Sequence, residues 1–321
     1  MRCSIVIRAF NEERYLRYLL SGLAKQTLKE IEIILVDSGS TDQTVALAQQ
    51  AGAKVLHIPP GQFSFGRSLN MGIGAASSEY IVIASAHVFP VFPDWLESLL
   101  GPFADPNIAI TYGKQRGTGP EFASAGIPDT TKFSEREIFN RWFPEAANLH
   151  QDHPFCNNAN AAIRRSLWQQ QPYDEDLTGL EDLAWAKWAT GLGYMVAYVP
   201  AAQVIHIHNE KPLTVRNRYR REAMAFKKIY PEAHFNIYDF VRMFLGNASN
   251  DIWHAIRQGV LLRHLFSILW FRYNQFWGTY LGYRQAVVWN WQLRQTFYYP
   301  RGTQDEKVDG RAVEPIRYEK P

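Results

Sequence analysis

The 321-residue chain predicts an α/β fold: a mostly parallel sheet with helices on both faces, followed by a C-terminal helical extension. Three observations predict it. Short aliphatic runs alternate with segments of helical periodicity from residue 1 to about 110. The runs are continuously apolar, as strands covered on both faces are. From residue 211 onward long helical stretches rich in Arg, Tyr, Trp and Phe take over.

The elements follow in order. "SIVI" (4–7) is a β-branched strand. "NEERYLRYLLSGLAKQ" repeats Tyr15, Leu19, Leu20 and Leu23 at helical spacing. "IEIILVD" (31–37) is a second strand and "STDQTVALAQQAG" a helix, with Thr41 or Ser40 as N-cap and Gly52 as C-cap. "KVLHI" (54–58) is a third strand, "GRSLNMGIGAASS" a helix and "YIVIA" (80–84) a fourth strand. Strands joined by helices of this length run parallel, and ligands gather at their carboxyl ends. Asp37 and the segment Ser85–His87 fall there. Residues 111–210 are less regular. The expected organisation is a catalytic α/β domain over 1–210, a helical extension over 211–300, and a polar, mobile tail over 301–321.

Composition narrows the function classes. A formal net charge of +3 is too mild for a dedicated nucleic-acid-binding protein. Cys3 and Cys156 are far apart and outside any C-x-x-C spacing, which argues against a disulfide framework or zinc ribbon and for two buried thiols in a reducing compartment. "CSIVI" is too short for a signal-peptide core, and no apolar run reaches the roughly 18 residues of a spanning helix. A cytoplasmic protein is expected.

Asp37 ends a buried strand and precedes a Ser/Gly turn, a place where a carboxylate and free N–H groups can hold a base or ribose. Asp and Ser also cap helices, so its neighbours decide. Arg8-Ala9-Phe10-Asn11-Glu12 ends the first strand. Asp37, Gly39, Ser40, Asp42 and Thr44 follow the second, and Arg67 and Asn70 precede the fourth. In this order, over roughly residues 3–210, the chain resembles the family 2 glycosyltransferases. These are inverting enzymes of the GT-A (nucleotide-diphospho-sugar transferase) fold that use nucleotide-sugar donors.

The resemblance implies a donor site. Phe10 would contact the nucleotide base and Asp37 would accept from it. Arg67, with Asn70, would reach the diphosphate or nucleoside. Arg8 stands where the family has Pro and adds a charge, Glu12 closes the same motif, and Gln115 would line the donor sugar. One departure is clear: Ser85 and His87 occupy the family's Asp-x-Asp, whose carboxylates hold a divalent cation, magnesium or manganese, on the diphosphate. A hydroxyl and an imidazole favour a softer metal, or His87 would bind the diphosphate directly. The Ser-Ala-His-x-x-Pro variant resembles rhamnosyltransferase-like members. His206 and His208, placed on one side of a strand end by alternation, would close over the diphosphate or share its metal with His87.

The acceptor side is implied in the same way. Glu181 and Asp182 open a helix after Gly179 and resemble the family's Glu-Asp pair. Asp182 would be the base that takes the acceptor hydroxyl's proton and Glu181 would orient the acceptor. Asn157, Asn158, Asn160 and Trp185 would contact acceptor sugars, and Arg164 and Arg165 phosphates.

Between 211 and 285 basic residues outnumber acidic ones and aromatics are interleaved with Arg. Such helices either lie on an anionic membrane or pack against the catalytic domain or another copy of the chain; a nucleic-acid partner is not expected. The expected activity is transfer of a sugar from a nucleotide-diphosphate donor to a hydroxyl of a glycan or lipid-linked acceptor in polysaccharide biosynthesis. The competing readings are a catalytically inactive nucleotide-sugar-binding protein and a membrane-surface scaffold.

Overall fold

A computed structural model describes residues 2–59, 62–119, 122, 127, 129–208, 210–284 and 313–318. The first half follows the expected alternation: β1 (Cys3–Ala9), α1 (Glu13–Ala24), β2 (Ile31–Asp37), α2 (Thr44–Gln50), β3 (Lys54–His57), α3 (Phe65–Gly74) and β4 (Tyr80–Ser85). It continues with β5 (Val88–Pro90), α4 (Trp95–Leu100), β6 (Ile108–Arg116), α5 (Phe133–Trp142), β7 (Asn148–Gln151), β8 (Asn160–Arg164), α6 (Arg165–Gln170), α7 (Glu181–Gly191) and β9 (Met195–His206). The extension is α8 (Pro212–Ile229), α9 (Ile237–Arg257) and α10 (Leu261–Arg284); the expected stretch 285–300 lies outside the described residues.

The nine-stranded sheet has the order β3-β2-β1-β4-β8-β6-β9-β5, with β7 on β9. β1, β2, β3, β4, β6 and β9 run one way, and β5, β7 and β8 run against them. Alternation along the strands explains their unbroken apolar runs. Ile5, Ile7, Leu35, Val82 and Ala84 feed the core on one face, beneath α1 and α4. Val6, Ile34, Val36, Ile81 and Ile83 feed the other, beneath α3 and α7.

Two expectations are corrected. Helix α2 starts at Thr44, later than a Ser40 or Thr41 cap implied, because Asp42 accepts from the Thr44 N–H while Ser40 and Thr41 bond to Asn11. The end of the chain is not a loose tail where it is described: the Ile316 N–H donates to Val91, and Tyr318 packs buried against Tyr18 and Phe89 with its hydroxyl on the Pro90 carbonyl. Residues 301–312 and 319–321 lie outside the described residues. Both cysteines are buried and free.

The extension packs on the α/β part of the chain through its inward face. Phe226, Tyr230, Phe240, Met243, Phe276 and Tyr283 form one core with Leu183 of α7. Among the described residues no helix is long and apolar enough to cross a membrane.

Candidate active site

Parallel pairing brings the ends of three strands together: Ala9 is opposite Asp37, and Arg8 is opposite Ser85. The chain leaves β1 through Asn11 in the left-handed region (φ 54), which Asn tolerates better than most residues. Two loops then cap one helix. The N–H groups of Asn11, Glu12 and Glu13 donate to the side chains of Ser40, Thr44 and Asp42, satisfying the open N-terminus of α1. The polar residues of the second-strand motif therefore hold α1 in place. Asp37 is 2% exposed and accepts from the Gly39 and Ser40 N–H groups and from His57 at 3.3 Å. Burial pushes its carboxyl up, but the hydrogen bonds from Ser40, Gly39 and His57 outweigh it and hold it below the usual range. Phe10, at the start of this turn, is 57% exposed.

Arg67 and Asn70, expected at the donor, both bond to neighbouring chain in this structure. Arg67 Nε donates to Glu175 at 2.8 Å, and its Nη1 to the Gln62 carbonyl. Asn70 donates to Glu175 and the Tyr173 carbonyl and accepts from Tyr173 N–H and Trp168. Together they fix the loop that leads into α7. Arg8 and Glu181, expected on opposite substrates, instead pair with each other at 3.0 Å, tying β1 to α7. Glu181 is buried and its charge is matched by Arg8. Leu180 just before it adopts φ 56, a left-handed conformation that costs a bulky residue on the order of 1 kcal/mol.

The three histidines meet. One ring nitrogen of each of His87, His206 and His208 lies within 4.8 Å of the others, and the rings of His206 and His208 are 4.1 Å apart. Each Nδ1 faces an oxygen acceptor: Glu12 at 2.8 Å for His87, Gln115 at 2.7 Å for His206, and Glu135 at 2.5 Å for His208. An Nδ1–H that donates to such an acceptor leaves Nε2 of the neutral ring with its lone pair. This is how outer carboxylates and amides prepare imidazoles to hold a cation. The Nε2 of His206 is buried without a partner. Burial lowers the His206 pKa, and His208 and His87 lower it further, so it stays neutral. Glu12 thus serves the site by orienting His87. Ser85 borders the group at the end of β4.

Asp182 lines a cavity of about 140 Å³ together with Gln115, Glu135, Asn157, His206 and His208. Its oxygens accept from the Asn158 N–H at 3.0 Å and from the Leu183 N–H. Burial first, and the Glu181 charge second, push its carboxyl up to about 7, with only partial relief from these N–H donors and Arg8. A carboxyl poised there is matched to work as a base near neutral pH.

The rest of the wall comes from residues that sequence reasoning missed. Phe139 and Trp142 of α5 and Arg218, Tyr219, Glu222 and Phe226 of α8 line the same cavity. The i, i+4 spacing of Arg218 and Glu222 puts both on one face of α8, but nothing in the sequence said which face turns inward. Arg218 ion-pairs with Glu210 at 2.6 Å and Glu135 at 3.5 Å. Burial pushes the Glu222 carboxyl up.

Other expectations are corrected. Asn160 is fully buried, accepting from Trp95 and donating to the Lys114 and Ala202 carbonyls. Trp185 is buried in the core beside Tyr173 and Trp188, its N–H on the Gln171 carbonyl. Neither is placed for an acceptor. Arg164 caps the carbonyls of Phe103, Asp105 and Ile108, at the opposite end of β4 from Ser85. Asn158 serves Asp182 through its backbone, and its side-chain amide nitrogen is buried without a partner.

Comparison with known proteins agrees with this geometry. Residues 4–170 match the model of the family described as "Glycosyl transferase family 2", a match that stops before Asp182. The chain is 26% identical over 222 residues to the O-antigen chain rhamnosyltransferase RfbN of Salmonella typhimurium, covering 68% of this chain and 70% of that one. It is 27% identical over 197 residues to the O-antigen chain rhamnosyltransferase WbaN of Salmonella anatum, covering 61% and 62%. Among solved structures, a mannosyltransferase from Pyrobaculum calidifontis in complex with GDP-Man and Mn2+ superposes with TM-score 0.55 at 16% identity, over 94% of this chain and 88% of that one. Residues 1–349 of S. aureus TarS in complex with UDP superpose with TM-score 0.51 at 17% identity, over 89% and 92%. These two likenesses concern the fold. A family match over more than half of the chain, on a sheet whose strand ends carry the histidine cluster, with Asp182 lining the same cavity as His206 and His208, makes this chain a member of glycosyltransferase family 2.

Proposed function

We propose that the chain transfers a sugar, with inversion, from a nucleotide-diphosphate donor to a hydroxyl of a glycan or lipid-linked acceptor. The observation that carries this reading is Asp182: a carboxyl held near neutrality in the same cavity as the histidine cluster. The acceptor hydroxyl gives its proton to Asp182 while its oxygen attacks the anomeric carbon. The bond from that carbon to the diphosphate oxygen breaks on the opposite face, and the nucleoside diphosphate leaves with the electron pair. Attack and departure on opposite faces invert the configuration. Relatives named as rhamnosyltransferases support a deoxyhexose as the sugar.

The leaving diphosphate needs positive charge, and the residues present fit a divalent cation. His87, His206 and His208 would hold it through Nε2 atoms, one of them buried and unpartnered, with Glu12, Gln115 and Glu135 fixing the rings. Imidazole ligands favour a transition ion such as iron or zinc over magnesium, and manganese, which prefers oxygen, would take its remaining ligands from the diphosphate. A cation bound there would neutralise charge that develops on the leaving group.

The test is release of nucleoside diphosphate from a panel of dTDP-, UDP- and GDP-sugars with glycan acceptors. One donor is expected to turn over, and Asp182→Asn to reduce turnover by about 10²–10⁴-fold while nucleotide still binds. A wild-type chain that binds nucleotide and consumes no donor, or an unimpaired Asp182→Asn enzyme, contradicts the proposal.

A further inference from the structure

The helical hairpin of α9 and α10 buries one face on the catalytic domain and leaves apolar side chains uncovered at its turn. In the last turns of α9, Trp253 is 51% and Ile256 57% exposed. In the first turns of α10, Leu262 is 97% and Phe266 81% exposed, with Leu265 beside them. Only Gln258, Gly259 and Val260 separate the two helices, so all five side chains belong to one tip. A globular surface rarely leaves so many large apolar groups together without a partner.

The charges around the tip identify the partner. From residue 240 to 284 Asp251 is the sole acidic residue. It is buried in a two-pronged ion pair with Arg272 at 2.7 and 2.9 Å. The exposed charged side chains of the hairpin, Arg242, Arg257, Arg263 and Arg284, are all basic. Arg257 and Arg263 flank the turn itself, and Arg257 lies over the Trp253 ring at 4.7 Å. Apolar side chains that can enter the acyl boundary, with arginines beside them, match an anionic lipid surface.

The tip is also coupled to the site. Val260 and Leu261 of the turn pack with Ala255 and Ile268 around Phe133, the first residue of α5. Two residues further along that helix, Glu135 holds His208 and lines the cavity.

We propose that this hairpin tip docks the protein onto an anionic bilayer, with Leu262 and Phe266 entering the lipid and Arg257 and Arg263 at the headgroups. The surface does not depend on the transfer reading, but it would bring the cavity to an acceptor held at a membrane. Flotation of the full chain with vesicles of equal parts phosphatidylglycerol and phosphatidylcholine, against phosphatidylcholine alone, tests it. Binding is expected on the anionic vesicles and to weaken at high salt. L262E/F266E is expected to abolish it, and R257E/R263E to weaken it about 25-fold or more, each basic side chain near such a surface being worth roughly fivefold. Both variants should keep the wild-type melting temperature and nucleotide affinity. Failure of the wild type to float, or flotation untouched by L262E/F266E, overturns the proposal. So does a wild type that ignores vesicles but forms a dimer in sedimentation velocity that L262E/F266E dissociates, because the tip then meets a second copy.

Discussion

The base role proposed for Asp182 makes its pKa testable. With the folded carboxyl at about 7 against an ordinary value of 3.8, the base is ionised only above neutrality. kcat/KM should therefore fall about tenfold per pH unit below about 7, and a profile flat down to pH 5 would remove Asp182 from that role. The sign for stability is opposite to that of a salt-bridged carboxylate. Between 3.8 and about 7 the unfolded chain loses this proton before the folded one does, so this group weakens the fold as pH rises through that window. The carboxyl pair was legible in the sequence through the family resemblance, and His206 and His208 through alternation along a strand. The partners were not. Arg8 lies 173 positions from Glu181 and Asn70 lies 105 from Glu175, and no local pattern reports contacts across such distances. Hence a pair that reads as two substrate contacts is a mutual ion pair, and Arg67 and Asn70 brace a loop.

At the scale of elements, α8 is where the extension becomes part of the site. It lies close to α10 because Gly278 and Gly282, one turn apart, face its backbone: a Cβ on Gly278 would stand 2.3 Å from the Arg216 carbonyl, and one on Gly282 would stand 2.4 Å from that of Arg220. Backbone cannot yield as a flexible side chain would. Gly278→Ala should therefore cost about 1–3 kcal/mol, lower the melting temperature by a few degrees, and impair acceptor-dependent turnover more than nucleotide binding. Equal losses in both would mean that α8 does not form the acceptor wall. The sequence predicted long helices here, and either a packed or a lipid-facing stripe. The structure has a packed inner face through Phe226 and Phe276 and, separately, an exposed tip. Periodicity sees that a helix has faces, but which face meets which neighbour depends on the tertiary fold.

Across the whole molecule, the chain closes on itself. The segment 313–318 lies along the edge of β5, where Tyr318 sits against Pro90 and Gly22 and joins the core of the first domain half. Tyr318→Ala should lower stability by about 3–5 kcal/mol, as other losses of buried rings do, with nucleotide affinity unchanged; an unaltered melting temperature would mean the segment does not dock. The first four strands and their parallel direction were legible because buried parallel strands and their helices punctuate the sequence regularly. The docked end was not, since "AVEPIRY" has no apolar period and one tyrosine anchors it. The antiparallel insertion of β8 between β4 and β6 was equally hidden, because strand direction leaves no mark in composition.

The proposed cation site puts a histidine cluster where the family resemblance leads one to expect carboxylates. Calorimetric titration of UDP, dTDP and GDP into the wild type and His206→Ala, with manganese and then with EDTA, tests this most directly. One nucleotide should bind tightly with manganese and lose most of that affinity both in EDTA and in His206→Ala. The same affinity in EDTA, or a His206→Ala protein indistinguishable from wild type with manganese, would contradict a cation held by these histidines.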